Sequence, residues 1–271
     1  MIIIFDTNGG LCNQFYDIVN GINFCLTNNV QFTFKYCAFR NDNLITWVGK
    51  PFEELFDINF LHNYNLYINY NDIKDKITKD NCYNFNDDSL ASYEAFKDDD
   101  ILGQLIKLNK DYVMLKQFWC LYKFKNFIDN TIYTHIIPSN NIMKKYIEIK
   151  NIIIGDEPYN FIHYRYEKDF TDYFKLKIES LNILIDNIKF KNNNLKIFIA
   201  TSNIKNLLDL NDCKYKNLIY KNDDMLLDLN FEQRAFIDYM FGLNSVECFG
   251  HSKSSFSLVL NNIKKTNNYY N

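Results

Sequence analysis

A histidine and an arginine two residues apart carry the clearest chemical signal in the chain, within Phe161-Ile162-His163-Tyr164-Arg165-Tyr166-Glu167-Lys168-Asp169-Phe170. Arginine keeps its proton in a protein and offers a flat fork of donors that matches phosphate oxygens, so Arg165 is a candidate clamp for a diphosphate. On one strand, His163 and Arg165 point to the same face. One can then hold a sugar or a phosphate while the other neutralises charge. The same arginine can equally be an edge residue paired with Glu167 or Asp169, a surface ion pair worth about 0 to 1 kcal/mol.

Three further clusters could serve such a ligand. Gly9 and Gly10 follow Thr7 and Asn8 directly after an apolar run, and Asn13 and Gln14 come next. Paired glycines let a backbone turn sharply and approach a ligand closely. If a helix starts near Leu11, Asn13 and Gln14 lie in its first turn beside free N–H groups. Otherwise this is a glycine turn with Asn13 as a local cap. Thr201 and Ser202 follow Leu195–Ala200, where hydroxyls either cap the next helix or bond a base or ribose. Ser254, Ser255 and Phe256 open a helix after a strand ending in Gly250, which presents N–H groups and two hydroxyls to an anion, or is an ordinary capped helix.

Two acidic runs invite a metal reading, because paired aspartates can hold an ion beside a nucleotide. Asp98-Asp99-Asp100 and Asp223-Asp224 each precede a helical pattern rather than end a buried strand. Capping and charging a helix N-terminus is the expected job of both, and no metal site is expected.

The elements that must position these residues follow from periodicity. Ile2 to Asp6 reads as a buried strand, and Leu11, Phe15, Ile18, Ile22 and Cys25 as a helix ending near Asn28. Val30, Phe32, Phe34 and Tyr36 complete a βαβ unit. Pro51 to Asp57 opens a short helix, with proline first and acids in its first turn. From His62 to Lys110 the pattern is polar and irregular. Tyr112 to Phe124 reads as a buried strand or interdomain element, and Asn140 to Lys150 as a linking helix. A break near Gly155 to Pro158 divides 1–155 from 156–271.

Beyond that break the expected elements are a strand into His163, one amphipathic helix from Phe170 to Ile188, and a strand from Leu195 to Ala200. A short strand over Asn217 to Tyr220 and a helix over Glu232 to Leu243 follow, the latter with Arg234 and Asp238 off its buried face. Val246 to Gly250 is expected as the last strand. Such alternation of strand and helix makes a parallel, doubly wound α/β sheet.

Bulk composition excludes several classes. With 271 residues, 47% of them hydrophobic and 23% charged, the chain can bury a substantial core. A net charge of -3 without a basic stripe gives no case for nucleic acid. The cysteines, Cys12, Cys25, Cys37, Cys82, Cys120, Cys213 and Cys248, form no C-x-x-C pair and read as reduced thiols of a cytosol-like compartment. Met1 to Asp6 is too short and lacks the basic start of a signal peptide, and no stretch approaches about 18 apolar residues. The expectation is a cytoplasmic protein without a membrane span.

Four stretches together resemble the GDP-fucose-dependent O-fucosyltransferases, including the protein O-fucosyltransferases and their plant relatives. Gly9-Gly10-Leu11-Cys12-Asn13-Gln14 looks like their glycine-rich Asn-Gln turn. Pro51 to Asp57 resembles a segment of the plant members. His163-Tyr164-Arg165 is close to their His-x-Arg motif, and Arg234 to Ser257 is similar to their closing donor-site motif. They lie in the family's order, with the middle of the chain unmatched.

The resemblance implies a GT-B architecture, two Rossmann-like halves facing a central cleft. It implies an inverting, metal-independent transfer of fucose, or a close deoxyhexose, from a GDP-sugar donor to a glycan or protein acceptor. Arg165 would hold the β-phosphate and stabilise the departing GDP, a task a divalent metal performs elsewhere. His163 would contact the donor near its sugar or phosphate. Ser254, Ser255 and Phe256 would hold the diphosphate and nucleoside, with Asp238, Thr201 and Ser202 near guanine and ribose. Asn13, on the Gly9-Gly10 turn, would face the sugar and acceptor hydroxyl. Some relatives carry glutamate or arginine where this chain has Gly10, so no catalytic base is identified. Asp6, Glu167 and Asp169 are the nearby carboxylates, and a loose oxocarbenium-like state needs none if the leaving phosphate collects the proton. The other reading is a GDP-sugar or glycan-binding protein of the same fold without turnover.

Overall fold

The computed structural model describes residues 1–41, 46–85, 100–116, 131–166, 168–177, 179–201 and 213–270. The chain divides into two compact units, Met1–Asn140 and Asn141–Asn271.

The first unit is a sheet with helices. Strand β1 (Ile2–Asp6) leads through the glycine turn into α1 (Leu11–Asn28) and then β2 (Gln31–Arg40). Helix α1 forms because Leu11, Phe15, Ile18, Ile22 and Cys25 make one stripe, all buried. It ends where Asn29 takes a left-handed conformation, φ 52°, and Val30 N–H returns 2.9 Å to Cys25 O. The remaining strands are β3 (Trp47–Pro51), β4 (Cys82–Asn84) and β5 (Tyr112–Lys116), with short helices α2 (Tyr70–Ile73), α3 (Ile101–Lys107) and α4 (Thr131–His135) between or after them. Strand order is β3-β2-β1-β5-β4, parallel except for β3, which runs antiparallel to β2.

Strand β3 was not expected from sequence, because all five of its residues are exposed and show no alternation. Pro51 ends it, so the helix expected over Pro51 to Asp57 is only a 3₁₀ turn at Phe52–Glu54. Ring stacking fixes that turn, with Phe52 5.0 Å from Phe34 and 4.7 Å from Phe56. Asp100 caps α3 by accepting from Gly103 N–H at 2.8 Å, while Asp98 and Asp99 lie outside the described residues. So does the part of Tyr112 to Phe124 beyond Lys116.

The second unit begins with α5 (Asn140–Ile153), whose Tyr146 ring lies 5.1 Å from Phe241. The helix expected as a linker is thus packed with this unit. Next come β6 (Tyr159–His163), α6 (Lys168–Phe174), α7 (Leu181–Asn187), β7 (Lys196–Ala200) and β8 (Leu218–Ile219). Helix α8 (Phe231–Asn244), β9 (Cys248–His251), α9 (Ser255–Lys264) and β10 (Tyr269–Tyr270) complete it. All five strands are parallel, in the order β10-β9-β6-β7-β8. Counted along this unit the order is 3-2-1-4-5, that of a Rossmann sheet.

Both faces of this sheet are covered, as a doubly wound fold requires. Alternate residues of β6 serve the two sides: Phe161 stacks on Phe198, which stacks on Phe241 of α8 at 4.1 Å. Ile162 joins Leu181, Leu184 and Ile185 of α7 in the opposite core. The single helix expected over Phe170 to Ile188 is broken in two. Lys175 adopts φ 52°, which ends α6, and Ser180 caps α7 afresh. Val246 is exposed and β9 begins at Cys248, and it is not the last strand, since β10 pairs beside it. The turn at Asp223–Leu226 is capped by Asn222, which accepts from Asp224 N–H at 3.4 Å.

Cys12, Cys25, Cys37, Cys213 and Cys248 are buried free thiols and Cys82 is half-buried; Cys120 lies outside the described residues. Among the described residues no helix is long and apolar enough to cross a membrane.

Candidate functional site

In the first unit the chain leaves β1 for β2 on one side and later returns as β5 on the other, so the carboxyl end of β1 is a topological switch point. The glycine turn lies there. Gly9 has φ 82°, a backbone state that side chains disfavour. Gln14 fixes the turn from beneath: fully buried, it accepts from Thr7 Oγ1–H at 2.6 Å and Ala38 N–H at 3.0 Å. Its amide donates to Gly9 O at 3.0 Å and Ala38 O at 2.8 Å. All four hydrogen-bonding positions of the amide are satisfied. Gln14 is therefore a brace of the turn rather than a group offered to a ligand. Asn8 N–H adds a bond to Asp17 Oδ2 at 2.8 Å.

Asn13 differs. Gly10 is the N-cap of α1 and no side chain caps the helix, while the Asn13 amide is half-buried and takes no hydrogen bond among the described residues. The local-cap alternative for Asn13 is not what the structure contains. Over Gly10, the space a Cβ would enter lies 3.1 Å from Arg40 Nη2. Arg40 ends β2, and its guanidinium lies 5.0 Å from the Trp47 ring. Sequence reading overlooked it because Arg40 is 30 residues away and reaches the turn only through the β1–β2 pairing.

In the second unit the switch point falls between β6 and β9, and His163 ends β6 opposite Gly250. His163 is buried, with Nδ1 3.0 Å from Ser257 Oγ and its ring 4.3 Å from Phe256. Burial holds the imidazole well below its ordinary pKa, and Arg165, His251 and Lys221 add to the same effect. It is neutral near pH 7. Gly250 makes room for this contact, since a Cβ there would fall 2.1 Å from Ser257 Oγ.

Arg165 is not on the strand. Strand β6 stops at His163, and the Arg165 guanidinium carbon lies 4.9 Å from the Phe170 ring of α6. The expected shared strand face of His163 and Arg165 is thereby corrected. The hydroxyl of Tyr270 donates to His163 O at 2.5 Å and accepts from Arg165 N–H at 3.0 Å. The ion-pair alternative involves Glu167, which lies outside the described residues, and the side chain of Asp169, which does too.

Ser254 occupies the N-cap of α9 but its hydroxyl makes no capping bond; its N–H donates to His251 O at 3.0 Å. Ser255 and Phe256 are half-buried in the first turn. Thr201 is half-buried immediately after β7, whose Ala200 pairs with His163, and Ser202 lies outside the described residues. Asp238 is buried rather than on an outer face of α8, and Lys221 Nζ lies 2.6 Å from its Oδ2. The Lys221 side chain is 4% exposed, so the two charges neutralise one another out of water. Lys221 and Tyr270 carry no motif signal and were missed in the sequence; only the strand order brings them here. Among the described residues no three His, Cys, Asp or Glu side chains gather as a metal site.

This edge gathers a guanidinium, a neutral imidazole and the N-terminus of a ten-residue helix, groups suited to an anionic, oxygen-rich ligand. No family profile matches the chain, and no curated protein matches its sequence. Solved structures do. The apo form of POFUT1 matches with a TM-score of 0.64 at 11% identity, over 99% of this chain and 97% of that one. POFUT1 in complex with GDP-fucose matches at 0.63 and 11%, over 98% and 95%. The fucosyltransferase NodZ from Bradyrhizobium matches at 0.57 and 11%, over 95% and 91%. The chain has the GT-B fold of these fucosyltransferases.

Proposed function

We propose that this protein is an inverting, metal-independent glycosyltransferase that moves fucose, or a close deoxyhexose, from a GDP-sugar to a hydroxyl of a glycan or protein. The observation that carries the proposal is the convergence of His163, Arg165 and the start of α9 at the switch point of a Rossmann sheet. Likeness to the structures of POFUT1 in complex with GDP-fucose and of NodZ soaked with GDP-fucose supports the choice of donor.

The chemistry follows from these groups. As the bond from the sugar carbon to the β-phosphate oxygen breaks, its electron pair passes to that oxygen, and Arg165 offsets the growing charge. The acceptor hydroxyl attacks the opposite face of the carbon, which inverts it, and the departing phosphate takes the proton. His163, neutral and steadied by Ser257, supplies a polar contact to donor oxygens. The N–H groups of Ser255 and Phe256 and the hydroxyl of Ser254 serve the diphosphate. Asn13, with its amide unengaged among the described residues, is the proposed contact for sugar or acceptor hydroxyl. Asp238, Thr201 and Ser202 are the proposed nucleoside side of the site. The buried free thiols accord with action in a reducing compartment such as the cytoplasm.

A screen of nucleotide-sugars for release of GDP or UDP, with and without EDTA, tests the reading. GDP is expected from GDP-fucose in both conditions. Arg165→Ala should lose about 10²- to 10³-fold in turnover, the effect of one missing oxyanion donor, and Arg165→Lys should not restore it because the fork is absent. Release from a UDP-sugar that EDTA stops would overturn the proposal. GDP binding without release from any donor would make the protein a binder.

A further inference from the structure

Strand β6 directs alternate backbone groups to its two neighbours. Phe161 N–H donates to Glu247 O beside β9 at 2.8 Å, and Tyr164 N–H donates to Ala200 O of β7 at 2.8 Å. His163 C=O and Arg165 N–H therefore face the β9 side, where the next rung of a parallel ladder would engage His251. The β6–β9 register runs to His163 and Gly250 and stops short of Arg165, and His251 O, which the following rung would offer to Arg165 N–H, accepts from Ser254 N–H at 3.0 Å. Ser252 N–H completes the turn toward β10 by donating to Tyr270 O at 3.0 Å.

Tyr270 continues past this end with its side chain. One hydroxyl gives its proton to His163 O at 2.5 Å and receives Arg165 N–H at 3.0 Å. The Arg165 N–H, beyond the end of the ladder, is thereby tied to the last paired residue of β6. The ring is wedged by His251 at 5.3 Å and Tyr166 at 5.9 Å, and the residue is 8% exposed, so the hydroxyl has little freedom to leave.

We infer that Tyr270 is a positioning residue for Arg165: its hydroxyl extends the hydrogen bonding past the end of the β6–β9 ladder and fixes the backbone from which the guanidinium departs. The inference rests on the transferase reading for its catalytic part, since a guanidinium that acts on a developing charge must be placed before the bond breaks. A displacement of about 1 Å can cost about 100-fold in rate.

Tyr270→Phe removes the hydroxyl and keeps the ring. Hydrogen exchange at the Arg165 amide, followed by NMR, reads the clamp without any turnover: protection in the parent should fall at least about 10-fold in the variant. GDP release from GDP-fucose should show kcat reduced about 10- to 100-fold with the donor KM within about 3-fold, a split that general loosening of the fold would not give. Retained protection of Arg165, unchanged kcat, or a rise in KM alone overturns the inference. A parent protein that releases no GDP while its Arg165 amide is protected refutes the transferase reading and the catalytic part of this inference, and leaves the backbone clamp standing.

Discussion

Gly250→Ala adds one methyl group at the most crowded point of the candidate donor site. The new Cβ would fall 2.1 Å from Ser257 Oγ, 2.6 Å from Ser257 Cβ and 3.5 Å from Ser257 Cα. Rotating the hydroxyl away relieves the first contact but not the second, because that Cβ is fixed to the backbone of α9. The helix start must move, or β9 must. Overpacking of this kind costs about 1–3 kcal/mol, and losing the Ser257–His163 hydrogen bond adds about 0.5–1.5 kcal/mol. The expected destabilisation is about 2–4 kcal/mol, read as a lowered urea midpoint in far-UV circular dichroism. Ser257→Gly removes the obstructing atoms, so the double variant should cost less than the two single changes summed, with a coupling of about 1–2 kcal/mol. Thermal stabilisation by GDP should weaken in Gly250→Ala alongside the loss of stability. A Gly250→Ala protein within about 0.5 kcal/mol of the parent, or strictly additive single changes, would refute the packing argument.

Two further outcomes follow from buried charge. Lys221→Met or Asp238→Asn alone leaves a charge out of water without its partner and should cost about 3–5 kcal/mol, whereas Lys221→Met with Asp238→Leu should regain most of it; single variants that melt with the parent would sink this. His163 is held neutral in the fold, so its contribution to stability is full above its ordinary unfolded pKa near 6.5 and is lost as pH falls below that value toward the depressed native pKa. Stability should drop by up to about 1.4 kcal/mol per pH unit from this residue, and His163→Gln should flatten that part of the urea-midpoint profile between pH 7 and 5.

Much of the fold was legible because buried parallel strands and amphipathic helices write their patterns into the chain. Strand β1 and the strand into His163 show as short runs buried without interruption, and helix α1 as an apolar stripe with a spacing near 3.6. Edge elements were illegible for the converse reason. Strand β3 is exposed throughout, and β10 is two residues long. The break at Lys175 needed a left-handed backbone at a residue type that gives no such warning. At the candidate site, motif residues could be found by type, but their supports could not. Gln14 was visible next to Asn13, yet its four bonds depend on where β2 runs. Arg40, Lys221 and Tyr270 reach their places through strand order, over 17 to 107 residues of sequence.

The cysteines provide a native timer for opening. Burial pushes the Cys248 thiol up to about 12 and raises Cys12 and Cys25 as well, so alkylating reagents meet almost no thiolate at these positions while the fold is closed. Cys12, Cys25 and Cys37 report on one unit and Cys248 on the other. Mass spectrometry of pulse-labelled protein would time the unfastening of each unit separately, with no engineered probe.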